Sequence, residues 1–228
     1  MSEEIAHKER IKQPPGACLD SAEPEGKALL DWYSSFAELS RHEEAGVDFL
    51  ITLLTGNSGI VVAAPHGGGI EPGTSEIAQT IAAGEHSFYG FEGLKLSGNG
   101  RLHLTSTRFD EPIGLSAIRQ AEAVLAIHGC RELRTIIYAG GLDLESRRTI
   151  TNALHLAGFT VGVHASLGGT DPRNLCNRGN RGAGVQLEIS SGLRRLMFED
   201  LSRWGRQKTT PVFHRFVNAL REAIPGKC

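Results

Sequence analysis

His66 and Glu71 stand five positions apart in PHGGGIEPGTSEIA (65–78), and His128 closes a second apolar run, EAVLAIHG (122–129). Imidazole nitrogens and a carboxylate are what a hydrolytic zinc site draws on, commonly two histidines, one acidic residue and a position left open for water. Gly67, Gly68 and Gly69 strip the main chain beside His66. Bare backbone lets a bound object come close and reaches turns that other residues avoid. A phosphate cradle would instead carry GxxxxGK[ST] or GxGxxG, and neither pattern occurs in the chain. His128 has the same strand-end grammar as His66 and is the candidate third ligand, with His86, His103, His155 and His164 as competitors. The bland alternative is a strand-end histidine that merely caps a polar edge.

Hydrolysis at a metal also needs a base that takes a proton from water and returns it to the leaving group. Glu188 in GVQLEIS (184–190) is the candidate, because a carboxylate among Val185, Leu187 and Ile189 is costly to bury unless it is paired or used. Its alternative is an edge-strand residue facing solvent. Upstream, TDPRNLCNRGNRGAG (170–184) gathers Arg173, Arg178 and Arg181 with Asn174, Asn177 and Asn180, offset only by Asp171. Such a loop is either solvated or a place where planar guanidinium groups grip carboxylates with two hydrogen bonds.

Positioning these groups falls to alternating strands and helices. FLITLL, GIVVAAP, RLHLTST, EAVLAIHG, RTIIYAGG, GFTVGVHA and GVQLEIS read as strands. Apolar spacing predicts helices over 26–44, Thr74 to Ala83, Ser116 to Ala121, Leu144 to Ala157 and Val212 to Ile224, the fourth capped by Asp143. Strands that are apolar almost throughout suit a sheet covered on both faces, whereas RLHLTST and GVQLEIS alternate as edge or antiparallel members do. The expected class is α/β, a three-layer α/β/α sandwich on a mixed sheet, with ligands at the loops that follow strand ends.

The 228 residues divide into a polar, proline-interrupted extension (1–25) and a single domain (26–228). A net charge of −2 creates no field that would draw nucleic acid or membrane. No apolar run approaches the roughly 20 residues that span a bilayer. The charged N-terminus is no signal peptide, so the expected compartment is the cytoplasm. Cys18, Cys130, Cys176 and Cys228 form no paired motif and read as reduced thiols.

Taken together, PHGGGIEPGTSEIA, LHLTSTRFDEP, VLAIHG and NRGNRGAGVQLEIS resemble, in order and spacing, the poly-γ-glutamate hydrolases, a phage- and bacteria-borne zinc enzyme family related in fold to the zinc carboxypeptidases. The resemblance runs from about Gly59 to Ser190. It implies a carboxypeptidase-like sandwich with one Zn2+ per chain on His66, Glu71 and His128, and Glu188 as general base. It also implies that Asn177 and Arg178 grip a substrate carboxylate, helped by Arg181 or Arg173, while Thr105, Ser106 and Phe109 shape the cleft. The implied reaction is hydrolysis of γ-glutamyl amide bonds in an acidic glutamyl polymer or small γ-glutamyl substrate, by a monomer. Two rival readings remain. One is another zinc amidase on this scaffold, acting on N-acyl amino acids or peptidoglycan γ-glutamyl links; the other is a non-catalytic carboxylate-binding phage accessory protein.

Overall fold

The structure is a computed structural model that describes residues 31–224. The extension at 1–25, the start of the helix expected at 26–44, and Cys18 and Cys228 lie outside the described residues.

Helices α1 (Phe36–His42), α2 (Thr74–Ala82), α3 (Pro112–Gln120), α4 (Leu144–Leu156), α5 (Ser191–Met197) and α6 (Pro211–Ala223) surround seven strands. These are β1 (Phe49–Leu54), β2 (Ile60–Gly68), β3 (Ser87–Gly93), β4 (Ala123–Cys130), β5 (Ile137–Gly140), β6 (Val161–Gly162) and β7 (Val185–Ser190). They form one mixed sheet in the order β1-β3-β2-β4-β7-β5-β6. The run β3-β2-β4-β7 is parallel, whereas β1 joins β3 and β5 joins β7 antiparallel.

The sheet is covered on both sides because alternate residues of its strands feed two cores. Val62 and Ala64 pack with Ile77, Ile81, Leu154, Leu193, Phe213, Phe216 and Leu220 from α2, α4, α5 and α6. Val61 and Ala63 pack with Leu39, Leu102, Leu104, Phe109, Ile118 and Leu175 on the opposite face. Apolar area removed from water drives both layers, and the continuous apolar reading of β2 and β4 follows from being buried twice. The expected three-layer α/β/α sandwich on a mixed sheet is what forms.

Local signals explain the helix starts. Asp143 accepts from the Ser146 amide to open α4, and Glu111 accepts from the amides of Ile113 and Gly114 to open α3 behind Pro112. Within the described part of 26–44 the helix is shorter than its periodicity suggests. Ser35 caps it, and Trp32 lies outside it with 64% exposure.

Four segments differ from the sequence reading. RLHLTST is no strand: a short 3₁₀ helix at Asn99–Leu102 runs into irregular chain, and its alternation arises because Leu102 and Leu104 both turn into the second core. GVQLEIS is interior rather than an edge, lying between β4 and β5 with every residue buried, and it is antiparallel to β5, the other pairing its alternation allows. GFTVGVHA supplies only two paired residues, and SFYGFEG, whose glycines break the strand pattern, forms β3. Among the described residues no helix is long and apolar enough to cross a membrane.

What matters for the site is that β2, β4 and β7 are adjacent and parallel. Their carboxyl ends therefore open on one rim of the sheet, where His66, His128 and Glu188 sit.

Candidate metal centre

The chain leaves β2 through a tight turn that folds Glu71 back on His66, closed by the Glu71 amide donating to the His66 carbonyl at 2.8 Å. Gly68 takes a φ of +62°, in the left-handed region. A Cβ at Gly67 would lie 2.0 Å from the Ser75 Oγ that receives the Gly68 amide, so no larger residue fits there. The glycine run thus builds the turn that brings an imidazole and a carboxylate together.

One ligand atom from each of His66, Glu71 and His128 lies within 4.8 Å of the others. His66 Nδ1 is 3.2 Å from Glu71 Oε1, His128 Nδ1 is 3.7 Å from Glu71 Oε2, and the two Nδ1 atoms are 3.2 Å apart. All three side chains are buried or nearly so. His66 Nε2 faces the Leu104 carbonyl at 2.8 Å and must donate to it, which fixes that tautomer, while His128 Nε2 meets Ser106 Oγ, a donor or an acceptor, at 3.3 Å. When His128 likewise carries its single proton on Nε2, donated to the Ser106 hydroxyl, two Nδ1 lone pairs point at one spot beside an anionic oxygen. That arrangement repels itself unless a cation sits between, and the donor set is one that a divalent zinc ion accepts. The residues present therefore fit the metal.

Charge within the cluster follows from its neighbours. Burial alone would raise the Glu71 carboxyl, yet the imidazoles of His66 and His128 hold it well below the usual range. Burial works against a charged His128, but Glu71 and Glu188 outweigh it and raise the imidazole.

Glu188 lies beside this cluster, not within it. It is the register partner of His128 on the neighbouring strand, and only 8% of it is exposed. Burial chiefly, opposed by His128 and reinforced by the Glu71 charge, pushes its carboxyl up to about 7. Oε1 accepts from Gln186 Nε2 at 3.2 Å, and Gln186 is itself held by Asn174 at 2.9 Å and the Leu167 carbonyl at 3.0 Å. A carboxyl poised near neutrality and aimed at the rim can exchange a proton at working pH.

Behind His66 lies a support that the sequence did not disclose. His103 stacks on the His66 ring with centroids 4.1 Å apart, and its Nδ1 meets Asp31 Oδ1 at 2.8 Å. Asp31 also accepts from the Thr105 amide at 2.9 Å and Thr105 Oγ1 at 3.0 Å, and it pairs with Arg108. Burial raises its carboxyl, but the His103 and Thr105 hydrogen bonds prevail and bring it to about 2. Asp31 precedes its partners by more than 70 positions in an unpatterned stretch, which hides it from sequence reasoning. Gln186 was more accessible, since strand alternation puts it on the face of Glu188.

Other expected site residues hold the scaffold. Thr105 fixes Asp31 and Ser106 orients His128, so both stand behind the ligands. Phe109 is fully buried, edge-on to His66. Asn177 Oδ1 accepts from the Leu142 and Gly184 amides, and its Nδ2 donates to the Gly169 and Asp171 carbonyls. Arg178 turns Nε, Nη1 and Nη2 to the carbonyls of Arg173, Phe109 and Thr107 at 2.7, 2.7 and 2.9 Å. The Asn177–Arg178 pair thus gives most of its hydrogen bonds to the main chain, which anchors the loop around it. Arg173 pairs with Asp171, and Arg181 reaches Asp143 at 3.3 Å while more than half exposed.

Apart from His103, the competing histidines lie elsewhere: His86 bonds Ser58, His155 bonds the Phe159 carbonyl, and His164 packs on Tyr138.

Residues 33–219 match the family model described as poly-gamma-glutamate hydrolase. The chain is 36% identical over 205 residues to the SPbeta prophage-derived UPF0714 protein YoqZ of Bacillus subtilis (strain 168), covering 88% of this chain and 74% of that protein. It is 38% identical over 194 residues to UPF0714 protein YndL of the same organism, covering 83% and 76%. Its fold matches a bacteriophage poly-gamma-glutamate hydrolase with a TM-score of 0.82 at 36% identity, over 85% of this chain and 96% of that one. A zinc-free YndL structure matches with a TM-score of 0.81 at 35% identity, over 85% and 97%. With the family model covering most of its length, and relatives of this closeness, the chain belongs to the poly-γ-glutamate hydrolase family.

Proposed function

We propose that this hydrolase works through one zinc ion and cleaves γ-glutamyl amide bonds, in poly-γ-glutamate or a smaller γ-glutamyl substrate. The observation that carries the reading is the division of labour at the rim. Three side chains converge as a ligand set, and a fourth, Glu188, stands one strand away with its carboxyl raised to about 7. The YndL structure named as zinc-free and the γ-glutamyl polymer in the family's name both support it.

In this reading His66 and His128 present Nδ1, and Glu71 a carboxylate oxygen, to the ion. Bound zinc supplies Lewis acidity that polarises the amide carbonyl and makes water acidic enough to attack near neutral pH. Glu188 takes one proton from the attacking water and delivers it to the departing nitrogen, so that water is added across the C–N bond. Gln186 keeps Glu188 turned toward the rim. Leu104 and Ser106 hold the two imidazoles in the tautomer that presents Nδ1.

Recognition of the substrate's carboxylates goes to the half-exposed guanidinium groups of Arg108 and Arg181, 53% and 56% accessible. Each is already oriented by a carboxylate, Asp31 or Asp143, and Asp31 is tied through His103 to the ring of His66. Guanidinium forks held in place lose less freedom when they close on an anion.

The test is turnover of poly-γ-glutamate and of α-linked polyglutamate by the purified protein, before chelation, after it, and after zinc is returned. Cleavage of the γ-linked polymer that is lost on chelation and restored by zinc is the expected result. Activity indifferent to chelation would overturn the metal role, and a preference for the α-linked polymer would overturn the substrate.

A further inference from the structure

We infer that Arg194 is the positioning residue of the site, a single guanidinium that holds the segments bearing Glu71, His128 and Glu188 at fixed separation. The inference rests on the reading of His66, Glu71 and His128 as a metal set. It concerns a residue on α5, well away in sequence from the ligand motifs.

Arg194 begins one short turn after β7 ends, and only 4% of it is exposed. Its Nε donates to the Ile189 carbonyl at 3.0 Å, Nη1 to the Pro72 carbonyl at 2.6 Å and Nη2 to the Cys130 carbonyl at 3.0 Å. Ile189 follows Glu188, Pro72 follows Glu71, and Cys130 lies two residues beyond His128. One planar group therefore joins three chain segments, and the planarity of the fork fixes the three carbonyls relative to one another in a way that a flexible ammonium cannot.

Gly129 is shaped to this contact. A Cβ there would stand 2.6 Å from Arg194 Cζ, so the guanidinium lies flat against a stretch of β4 that has no side chain. The amide of the same residue donates to Glu71 Oε2 at 2.8 Å. The Gly129 peptide is thus held between the guanidinium and a carboxylate of the ligand set. The glycine that follows His128 leaves room for the arginine packed against it.

Energetics argue against a merely structural role. A buried cation whose hydrogen bonds all go to neutral carbonyls is costly, and well-packed apolar residues usually serve stability at least as well. Burial lowers the guanidinium's proton affinity, while the charges of Glu71 and Glu188 act the other way. The position makes sense if the cation balances those two carboxylates from behind.

The experiment compares wild type, Arg194→Lys and Gly129→Ala, each as the full chain. Zinc affinity is measured by competition with a chromophoric chelator, and thermal midpoints are measured with and without zinc. Supporting residues around metal ligands typically govern affinity by about 10–100-fold. Both variants are expected to bind zinc weaker by about that factor, with a smaller zinc-induced rise in midpoint on top of any fall that the lost contacts cause in the metal-free chain. A purely structural arginine would lower both midpoints equally, leaving the zinc-induced rise and the zinc affinity unchanged. Zinc affinity within about twofold of wild type in either folded variant overturns the inference, and Gly129→Ala decides it if Arg194→Lys does not fold. Failure of the wild type itself to bind zinc would instead overturn the metal reading.

Discussion

His128 and Glu188 are cross-strand partners, one on β4 and one on β7, held side by side by parallel register. Neighbouring strands lie about 4.8 Å apart, so the His128 imidazole of the three-residue cluster and the Glu188 carboxyl beside it are kept one strand spacing from each other. The register is locked from both sides by Ile127 opposite Leu187 and Gly129 opposite Ile189. Slipping it by one residue would turn every side chain to the wrong face and bring the core down with the site.

Glu188→Gln should therefore keep the fold and the metal while activity collapses. The amide is nearly isosteric, and its oxygen can still accept from Gln186. A general base contributes roughly 10²–10⁴-fold, and one that serves both proton transfers should lie at or above the upper end. Zinc content and turnover measured on one preparation check this. Loss of both together would place Glu188 among the ligands.

Protonation gives a second expectation, for the metal-free chain. The Glu188 carboxyl is raised from 4.5 to about 7 in the fold. Between those values the native state holds a proton that the unfolded chain has released, so stability falls as pH rises through that window. His128, also raised, acts in the same direction, whereas Glu71, held low, contributes stability that is present above the ordinary carboxylate range and lost on acidification. Denaturant midpoints of metal-free wild type should drop from pH 5 to pH 8, and the drop should shrink in Glu188→Gln. Saturating zinc should reverse the trend, because ligands bind it without their protons.

How much of this was legible in the chain depends on what each residue answers to. His66, His128 and Glu188 stand out because each lies in an apolar strand where a polar group has no packing reason to be, and Glu71 because it follows the glycine run behind His66. Asp31 and Arg194 could not, since their partners are mainly main-chain groups and side chains distant in sequence, and a carbonyl leaves no signature in sequence. The arginine-rich loop is hard to read for a related reason. Composition shows that Arg178 is a cation but not that backbone carbonyls already surround it. The same limit governed the fold. Doubly buried strands announced themselves, while β3, broken by glycines, and RLHLTST, alternating without a partner strand, needed tertiary context.

The arginines can be separated by what they lose. Arg178→Ala removes donors from the carbonyls of Thr107, Phe109 and Arg173, two of these bonds partly buried, and should lower the thermal midpoint by a few degrees, the cost of about 1 kcal/mol expected when partly buried acceptors lose their partners. Arg108→Ala should leave the midpoint closer to wild type and raise KM for a glutamyl substrate, with a smaller effect on kcat. Paired melting curves and steady-state kinetics check both. A wild-type midpoint in Arg178→Ala, together with lost substrate affinity, would return the carboxylate grip to that residue.

The most direct measurement is the zinc content of purified wild type, His66→Ala and His128→Ala, determined by mass spectrometry of the metal after exhaustive buffer exchange, with circular dichroism to confirm folding. Wild type should hold about one zinc per chain, as a single three-ligand site requires. Each variant, folded but left with one imidazole and Glu71, should hold almost none. Full occupancy in either folded variant, or a wild type that refuses zinc after metal is supplied, would contradict the assignment of His66, Glu71 and His128 as the metal centre.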